Sequence, residues 1–320
     1  MTPDVLVAHT LPPEQMQDMA RRYRLHRLDL ATPSDRPALL ASAGPVCTAM
    51  VVSGHVTVDA KLLDQLPALR LAACSSAGYD QIDLAEMTRR GIALTNTSAA
   101  LLDDVADTAL MLMLAARRRL VAGDAYVRTG AWGRDGMFPL TSATSGKRAG
   151  IVGLGHIGQA IARRCLPMGL EIGYFSRSRK AGMDYRFFDD LAALAGWADI
   201  LFIATPGGAD TAGLISAPVL RALGPDGTLI NIARGTVVDE AALIAALRQG
   251  QLGAAGLDVF LNEPTPDPAL TALPNVTLYP HHASGTVETR ARMAQLTLDN
   301  LAAFFAGKPL LTPVNKIILT

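Results

Sequence analysis

The chain has 320 residues, half of them hydrophobic, and its 29 basic and 29 acidic residues give a formal net charge of zero. This composition suits two globular domains with sizeable cores, and it excludes a disordered or fibrous protein. The balanced charge gives no indication of a nucleic-acid-binding or membrane-binding surface.

Three local features bear on the compartment. The most apolar helical pattern, residues 101–116, contains three aspartates and is too polar to cross a bilayer. The N-terminus enters a strand pattern at once, without the basic segment and apolar core of a signal peptide. Cys47, Cys74 and Cys165 are scattered, which is typical of small buried residues in a reducing compartment. We therefore expect a cytoplasmic protein, and we expect no metal site.

The first hundred residues alternate strand and helix patterns. The predicted strands are 5–8, 49–52, 69–74 and 92–94, and the predicted helices are 13–22, 60–66 and 82–90. Such alternation indicates a parallel sheet covered by helices. A long helical pattern then covers 98–121. The segment 128–147 is rich in Gly, Ser and Thr and is predicted to form an arm or loop.

A second series of elements begins at Arg148. Its predicted strands are 150–152, 171–175, 200–204, 228–232, 254–257 and 276–279. Ser216 and Asp239 are predicted N-caps of intervening helices. Six strands with crossover helices form a doubly wound nucleotide-binding domain.

The last predicted helix, 286–305, returns the chain toward the first sheet. We therefore predict an α/β protein with two doubly wound parallel-sheet domains. Residues 1–98 and 287–320 would form a flavodoxin-like substrate domain, and residues 99–286 a Rossmann nucleotide domain. A cleft between two such domains is a natural ligand site.

A glycine-rich turn joins the first strand of the second series to a helix. It reads Gly153-Leu154-Gly155-His156-Ile157-Gly158. In this spacing the first glycine permits the tight turn, the second lets a pyrophosphate approach the backbone, and the third lets the helix pack against the strand. The helix amides would then face the phosphates. The alternative is an ordinary glycine-rich turn, although the strand-to-helix context favours a dinucleotide site.

The end of the next strand indicates which dinucleotide binds. An NAD site carries Asp or Glu about 20 residues beyond the glycines, where it binds the ribose 2′-hydroxyl. This chain has Ser176-Arg177-Ser178 at that place. Arg177 can pair with a 2′-phosphate, and the serines can donate hydrogen bonds to it. We predict NADPH in preference to NADH, the alternative being a solvated basic loop.

Three polar residues follow later strands of the same domain. Arg234 follows strand 228–232, Glu263 follows 254–257, and His281 follows 276–279. Since parallel strands end at one sheet edge, the three side chains should project from that edge. Each could have a structural role alone, as a surface ion-pair residue, a loop charge or a packed histidine. Their arrangement at successive strand ends favours a catalytic site.

The chemistry of these three residues is complementary. An arginine can bind a carboxylate and polarise the adjacent carbonyl. A histidine can supply the proton that a reduced carbonyl needs, and a carboxylate orients the ring and favours its charged form. With a nicotinamide, these groups describe the reduction of a 2-oxo acid. His281 directly follows Pro280 and is our choice for the proton donor, but the pattern does not exclude His282.

At these residues the chain resembles the D-isomer-specific 2-hydroxyacid dehydrogenase family over nearly its whole length. The match includes the glycine-rich turn, residues 231–239, residues 256–264 and Pro280-His281. Within the family the chain is most similar to NADPH-dependent glyoxylate/hydroxypyruvate reductases and to hydroxyphenylpyruvate reductases. The segments that support this narrower likeness are 174–178, 284–290 and 307–314.

The resemblance implies further site residues. Arg234, Glu263 and His281 would be catalytic, and the substrate would contact Ser76, Ala77, Gly78, Arg234 and His281. Besides the glycine-rich turn and residues 176–178, the cofactor would contact Thr205, Pro206, Thr211, Ile232, Ala233, Asp258 and Gly285. Residues 206–211 depart from the family pattern Pro-Leu-Thr-x-x-Thr by having Gly207-Gly208.

The resemblance also implies a homodimer that acts on a small 2-oxo acid. The arm residues Trp132, Met137 and Phe138 would serve core packing or the dimer contact, and a reach into the neighbouring subunit's site is the alternative. An aromatic 2-oxo acid such as phenylpyruvate is the alternative substrate, and NADH the alternative cofactor. An NAD(P)H-sensing corepressor-like binding protein is the alternative of another class.

Overall fold

The computed structural model describes residues 2–317, so the outermost residues of the predicted substrate domain, residue 1 and residues 318–320, lie outside the described part. The strands are β1 Asp4–Val7, β2 Arg24–Arg27, β3 Ala49–Val52, β4 Leu71–Cys74, β5 Ala93–Thr95, β6 Arg148–Val152, β7 Glu171–Phe175, β8 Arg186–Phe188, β9 Ile200–Ile203, β10 Thr228–Asn231, β11 Ala254–Leu257 and β12 Val276–Leu278.

The helices that accompany these strands are mostly short. They are α1 Pro13–Arg22, α2 Arg36–Ala43, α3 Ala60–Asp64, α4 Leu84–Arg89, α5 Leu102–Arg117, α6 Leu120–Arg128, α7 Ala131–Asp135, α8 His156–Cys165, α9 Leu191–Trp197, α10 Ala217–Leu223, α11 Glu240–Arg248, α12 Pro268–Thr271 and α13 Val287–Phe305. Single 3-10 turns lie at Ser98–Ala100, Leu166–Met168, Ala209–Thr211 and Gly235–Val237. Within residues 2–317, no helix is long and apolar enough to cross a membrane.

The chain divides into two compact units. Unit 2 comprises Leu102–Ser284, and unit 1 comprises the described residues on either side of it, 2–101 and 285–317. Unit 1 contains a five-stranded parallel sheet with the order β2-β1-β3-β4-β5, which is the flavodoxin-like order. Unit 2 contains a seven-stranded parallel sheet with the order β12-β11-β10-β9-β6-β7-β8, the Rossmann order with one added strand. The predicted α/β fold class is confirmed.

The central strands form because their sequences are continuous apolar runs. All residues of β3 and β9 are buried, as expected of strands that helices cover on both faces of a parallel sheet. Phe202 in β9 is fully buried, and burying an aromatic side chain of this size stabilises the fold by about 2–3 kcal/mol. Cys47, Cys74 and Cys165 are also buried and unbridged.

The structure differs from the sequence prediction in several elements. The single helix predicted over 98–121 is wrong: it is a 3-10 turn, then α5, then α6, because Arg119 adopts a left-handed φ of 51° that interrupts the helix. The segment 128–147 is not wholly irregular, since it contains α7. Strands β2 and β8 were not predicted because both lie at sheet edges and carry exposed charges. Ser216 stands at the N-cap of α10 without a side-chain capping bond, whereas Asp239 accepts from Ala242.

Asn315 fastens the C-terminal segment to the sheet of unit 1. Its Oδ1 accepts from the Leu94 amide at 2.9 Å, and its Nδ2 donates to Ile92 O and to Thr88 Oγ1. Asn315→Ala should therefore lower the free energy of unfolding by about 2–4 kcal/mol, because it leaves buried groups unpaired. Urea unfolding measures this change. Lys316→Ala at the exposed neighbouring position is the matched control, and an equal effect of both variants would contradict the role of Asn315.

Candidate active site

Every predicted site residue of unit 2 lies beyond the carboxyl end of a strand. Asn231 in β10 pairs with Leu257 in β11 and with Ile203 in β9, and Val152 in β6 pairs with Ile203. The strand ends are therefore level, and their following loops share one edge of the sheet. The strand order reverses between β9 and β6, which is where open α/β sheets bind ligands.

The glycine-rich turn has the backbone that its sequence requires. Gly153 has a φ of 96°, and a side chain on it would strike the Ala204 carbonyl. A side chain on Gly158 would strike the Gly153 carbonyl, so the close packing of helix and strand also depends on glycine. Gly155 faces open space and is the N-cap of α8 without a side-chain cap. His156 and Ile157 are the first two residues of that helix, and Leu154 is buried beneath the turn.

Two hydrogen bonds order the loop after β7. Ser176 Oγ donates to Ser178 O at 2.7 Å, and the Lys180 amide donates to the Tyr174 hydroxyl at 2.9 Å. Tyr174 is fully buried, so it anchors the loop from beneath. Arg177 lies at the exposed tip between the serines. Tyr174 was not among the predicted site residues; its sequence signal was a polar hydroxyl in an otherwise apolar strand.

The loop after β9 carries Thr205 and Pro206 and closes on itself. Thr211 Oγ1 donates to Pro206 O at 2.8 Å, which ties the two ends of the loop together. Gly208 adopts a φ of 132°, a conformation that only glycine takes readily. Gly208 is one of the two glycines that depart from the family pattern, and this backbone conformation explains a glycine at that position.

His281 and Glu263 form a close polar pair at this edge. Their Nδ1 and Oε2 atoms are 2.6 Å apart, and the two side chains are 33% and 29% exposed. Glu263 is also held by the Phe260 amide, which donates to Oε1 at 2.9 Å. Burial alone would raise the pKa of Glu263, but the hydrogen bonds and the positive charges of His281 and Arg234 leave that pKa below its usual value. The carboxylate therefore stays ionised and fixes the ring through Nδ1.

The structure brings His281, and not His282, to Glu263. The ring of His282 packs edge-on against Tyr279 at 5.9 Å between centroids. The sequence left His281 and His282 as alternatives for the proton donor, and this geometry favours His281.

Asp258 braces the turn that presents His281. His281 adopts a left-handed φ of 48°, which is unfavourable for a residue with a side chain, and its amide donates to Asp258 O at 2.7 Å. The Asp258 carboxylate accepts from the amides of His282 and Ala283 at 2.8 and 3.1 Å. Burial raises the pKa of Asp258 above its usual value, although these hydrogen bonds oppose the rise. Asp258 was predicted only to contact the cofactor, and its bracing of this turn was not predicted.

Arg234 stands directly after the buried pair Ile232 and Ala233. Its backbone is extended, and its guanidinium donates to Ala233 O at 2.6 Å. The next residue, Gly235, leaves no room for a side chain, because a Cβ there would strike the backbone of Phe260. This contact packs the Arg234 turn against the loop that carries Glu263. The positive charge of Arg234 in turn acts on the Glu263 carboxylate.

Unit 1 holds the predicted substrate-contacting residues Ser76, Ala77 and Gly78, which form a loop after β4. Ser76 Oγ accepts from the Gly54 amide at 2.7 Å and donates to Gly78 O at 2.8 Å. Asn96 Nδ2 donates to Ala77 O at 2.9 Å. The loop is therefore shaped by its own serine and by two neighbouring segments.

The predicted site residues are divided between the two units. The catalytic trio and the cofactor residues from Gly153 to Asp258 share one sheet edge of unit 2. Gly285, predicted to contact the cofactor, belongs to unit 1, as do residues 76–78. The roles of all these residues remain predictions.

Comparison with known proteins bears on this arrangement. Residues 110–283 match the family model for the D-isomer specific 2-hydroxyacid dehydrogenase, NAD binding domain. The chain is 43% identical over 312 residues to 2-ketogluconate reductase of Gluconobacter oxydans, covering 98% of each chain. It is 46% identical over 298 residues to hydroxyphenylpyruvate reductase of Plectranthus scutellarioides, covering 93% of this chain and 94% of that one.

The chain is also similar in three-dimensional structure to a solved protein. The NADPH-dependent glyoxylate/hydroxypyruvate reductase of Sinorhizobium meliloti, in complex with NADP and malonate, has a TM-score of 0.88 and 38% identity, covering 98% of this chain and 97% of that one. These similarities confirm the resemblance found in the sequence. Because residues 110–283 match the family model, His281 and Glu263 are paired and the relatives are similar over nearly their full length, the chain belongs to the D-isomer-specific 2-hydroxyacid dehydrogenases.

Proposed function

We propose that the protein uses NADPH to reduce a 2-oxo acid of the glyoxylate/hydroxypyruvate type to the D-2-hydroxy acid. The observation that carries this proposal is the His281–Glu263 pair, 2.6 Å apart, at the same sheet edge as Arg234 and the glycine-rich turn. Reduction of a 2-oxo acid needs an acid/base group, a cation that binds the carboxylate and a turn that binds a dinucleotide. The three features together support this reaction more strongly than any one of them alone. The assigned names of the relatives agree with this chemistry.

The residues of unit 2 fit a dinucleotide. Gly155 leaves open space where any side chain would intrude, and the N-terminus of α8 has no side-chain cap to compete with a pyrophosphate. Residues 153–158 would hold the pyrophosphate, and Asp258, Ile232 and Ala233 the nicotinamide end. When bound, the nicotinamide supplies the hydride.

The chain's own groups would handle the substrate and the proton. Arg234 binds the carboxylate and polarises the C2 carbonyl, which lowers the cost of the negative charge that develops on its oxygen. His281 donates its Nε2 proton to that oxygen. Glu263 holds Nδ1, stabilises the charged ring before transfer, and remains ionised. The loop Ser76-Ala77-Gly78 would hold the substrate carboxylate with its amides.

The preference for NADPH is proposed from the loop after β7. This loop offers a guanidinium at Arg177 and two serines and has no carboxylate to repel a 2′-phosphate. Arg177→Asp should lower the NADPH-to-NADH ratio of kcat/KM by about 100-fold, because it removes a charged hydrogen bond and adds repulsion. Equilibrium binding of each nucleotide measures the same change without turnover. Arg179→Asp on the same loop is the control, and an unchanged ratio in the Arg177 variant would show that this loop does not bind the phosphate.

We further propose a homodimer formed through one face of unit 2. Large apolar side chains on α6, α7 and the arm are exposed, including Val121, Trp132 and Met137, and Leu140 is 92% exposed. A groove of about 760 Å³ lies beside Val121 and Leu140. Exposed apolar area of this extent favours association with a second copy. Leu140→Asp with Val121→Asp should yield monomers in light scattering, and an unaltered protein that is monomeric would contradict the proposal.

A cytoplasmic location remains a prediction.

One screen separates the candidate functions. The protein is mixed with NADPH and glyoxylate, hydroxypyruvate or phenylpyruvate, and nucleotide oxidation is followed. We expect turnover with glyoxylate and hydroxypyruvate. Faster turnover of phenylpyruvate would favour the aromatic reductase, the activity named for the Plectranthus relative. Tight NADPH binding with no turnover of any 2-oxo acid would favour a nucleotide sensor.

A further inference from the structure

The hydroxyl group of Tyr174 is buried inside unit 2. Tyr174 lies in β7, where it pairs with Ile151 of β6 and Phe187 of β8, and its ring centroid lies 5.4 Å from that of Phe187. The side chain is fully buried. A hydroxyl group in such apolar surroundings costs free energy unless it has a hydrogen-bond partner. Its partner is the backbone amide of Lys180, which donates to it at 2.9 Å.

This hydrogen bond closes the loop that follows β7. The loop leaves the strand at Phe175, whose carbonyl accepts from the Gly153 amide of the glycine-rich turn at 2.9 Å. It returns at Lys180, where the Tyr174 hydroxyl holds the backbone. Residues 176–179 therefore lie between two fixed points. The bond limits the positions that these residues can take relative to the glycine-rich turn.

A second hydrogen bond shapes the loop from within. Ser176 Oγ donates to Ser178 O at 2.7 Å, and because a hydroxyl group has one hydrogen, Ser176 has no further proton to donate in this arrangement. Arg177 and Ser178 are exposed, and within residues 2–317 neither side chain forms a hydrogen bond. These two side chains keep their donors for a ligand, whereas Ser176 and Tyr174 hold the backbone that carries them.

The arrangement affects the binding of NADPH and of NADH differently. The two nucleotides differ only in the 2′-phosphate, so the donors of Arg177 and Ser178 matter to NADPH alone. A guanidinium binds a phosphate best when its planar fork is held in place beforehand, because a mobile loop must first be ordered at a cost in free energy. Loosening the loop would therefore weaken the binding of NADPH and leave that of NADH nearly unaffected.

We propose that Tyr174 is a positioning residue for cofactor selectivity. Its buried hydroxyl group holds loop 176–180 so that Arg177 and Ser178 meet the 2′-phosphate of NADPH, and Ser176 supports the same loop from within. Tyr174 itself contacts no part of the cofactor. This inference rests on the proposed function, because it requires the NADPH preference of the Arg177 loop. All of the residues involved belong to unit 2.

Tyr174→Phe tests the proposal, since it removes the hydroxyl group and keeps the ring that packs on Phe187. We expect the dissociation constant of NADPH to rise about fivefold, the effect of losing one typical hydrogen bond, and that of NADH to change by less than about twofold. Fluorescence titration with each reduced nucleotide measures both constants without turnover. Tyr126→Phe on α6 is the matched control, because the Tyr126 hydroxyl donates to Gly136 O outside this loop. It should leave both constants unaltered.

A double-mutant cycle separates positioning from packing. Without the Arg177 side chain, the placement of the loop matters much less to the phosphate. In an Arg177→Ala background, Tyr174→Phe should therefore change the dissociation constant of NADPH by less than about twofold. Ser176→Ala removes the other hydrogen bond of the loop without altering the buried ring. It should weaken the binding of NADPH in the same selective way, which keeps the test valid if Tyr174→Phe folds poorly.

The outcomes distinguish this inference from the proposed cofactor preference. Equal weakening of both nucleotides by Tyr174→Phe, or an equal effect with and without Arg177, would show that the hydroxyl group only supports packing and would overturn the inference. An unaltered NADPH constant in both Tyr174→Phe and Ser176→Ala would also overturn it. In these cases a loss of NADPH preference in Arg177→Asp would still support the role of Arg177. An unaltered protein that binds NADH as tightly as NADPH would overturn both proposals.

Discussion

Arg234→Ala is expected to lower kcat/KM for hydroxypyruvate by about 10³-fold or more. Removing one donor to a developing oxyanion costs about 10²–10³-fold in rate, and here the variant also loses the carboxylate contact. Arg234 lies in the turn after β10, and its positive charge acts on the Glu263 carboxylate. Steady-state kinetics with saturating NADPH measure the loss.

Two companion variants make this result specific. Arg234→Lys keeps the charge but not the planar fork, so we expect it to recover only part of the activity. Arg248→Ala removes an exposed arginine at the end of α11 and should leave the kinetics unaltered. NADPH binding should persist in Arg234→Ala. A variant that no longer binds nucleotide would show that Arg234 holds the cofactor and not the substrate.

His281→Gln should lower kcat by about 10²–10⁴-fold, the usual contribution of a positioned acid/base group. Glutamine can still donate a hydrogen bond, but it cannot give up a proton to the reduced oxygen. The loss should fall mainly on kcat, and NADPH binding should be retained. His282→Gln is the matched control, since that ring packs on Tyr279. A larger loss in His282→Gln would transfer the role to the neighbouring histidine.

Glu263→Gln tests the carboxylate of this pair through pH. The pKa of Glu263 lies below its usual value, so the ionised carboxylate holds His281 Nδ1 at 2.6 Å and loses its charge only as pH falls through that lowered pKa. The acid limb of the kcat/KM profile of the unaltered protein should therefore lie below the usual pH range of a glutamate. Glu263→Gln should lower kcat/KM by about tenfold or more and remove that limb. A variant that keeps both the activity and the acid limb would show that the carboxylate is not needed.

The elements that carry the site could be predicted because their sequences are locally unambiguous. The glycine spacing at 153–158 has one backbone solution, and Gly153 and Gly158 adopt it in the structure. Strands β10, β11 and β12 are short, and Arg234, Glu263 and His281 each follow the end of one of them by three to six residues. Parallel register then brings Arg234, Glu263 and His281 to one edge without further information.

Other features depend on contacts that no local pattern contains. The break between α5 and α6 lies at Arg119, a residue with no intrinsic preference for a left-handed conformation. Strand β2 is a charged edge strand, and it pairs with β1 because of the surrounding fold. Asp258 braces the His281 turn through backbone amides, and the pairing of His281 instead of His282 with Glu263 follows from that turn. The identity of a side chain does not reveal such backbone partners.

A crystal structure with NADPH and oxamate would test the central claim most directly, because oxamate carries a carboxylate and a carbonyl that does not accept hydride. We predict that His281 Nε2 and the Arg234 guanidinium both lie within hydrogen-bonding distance, about 2.7–3.2 Å, of the oxamate carbonyl oxygen. Oxamate bound with that oxygen turned away from both side chains would contradict the account.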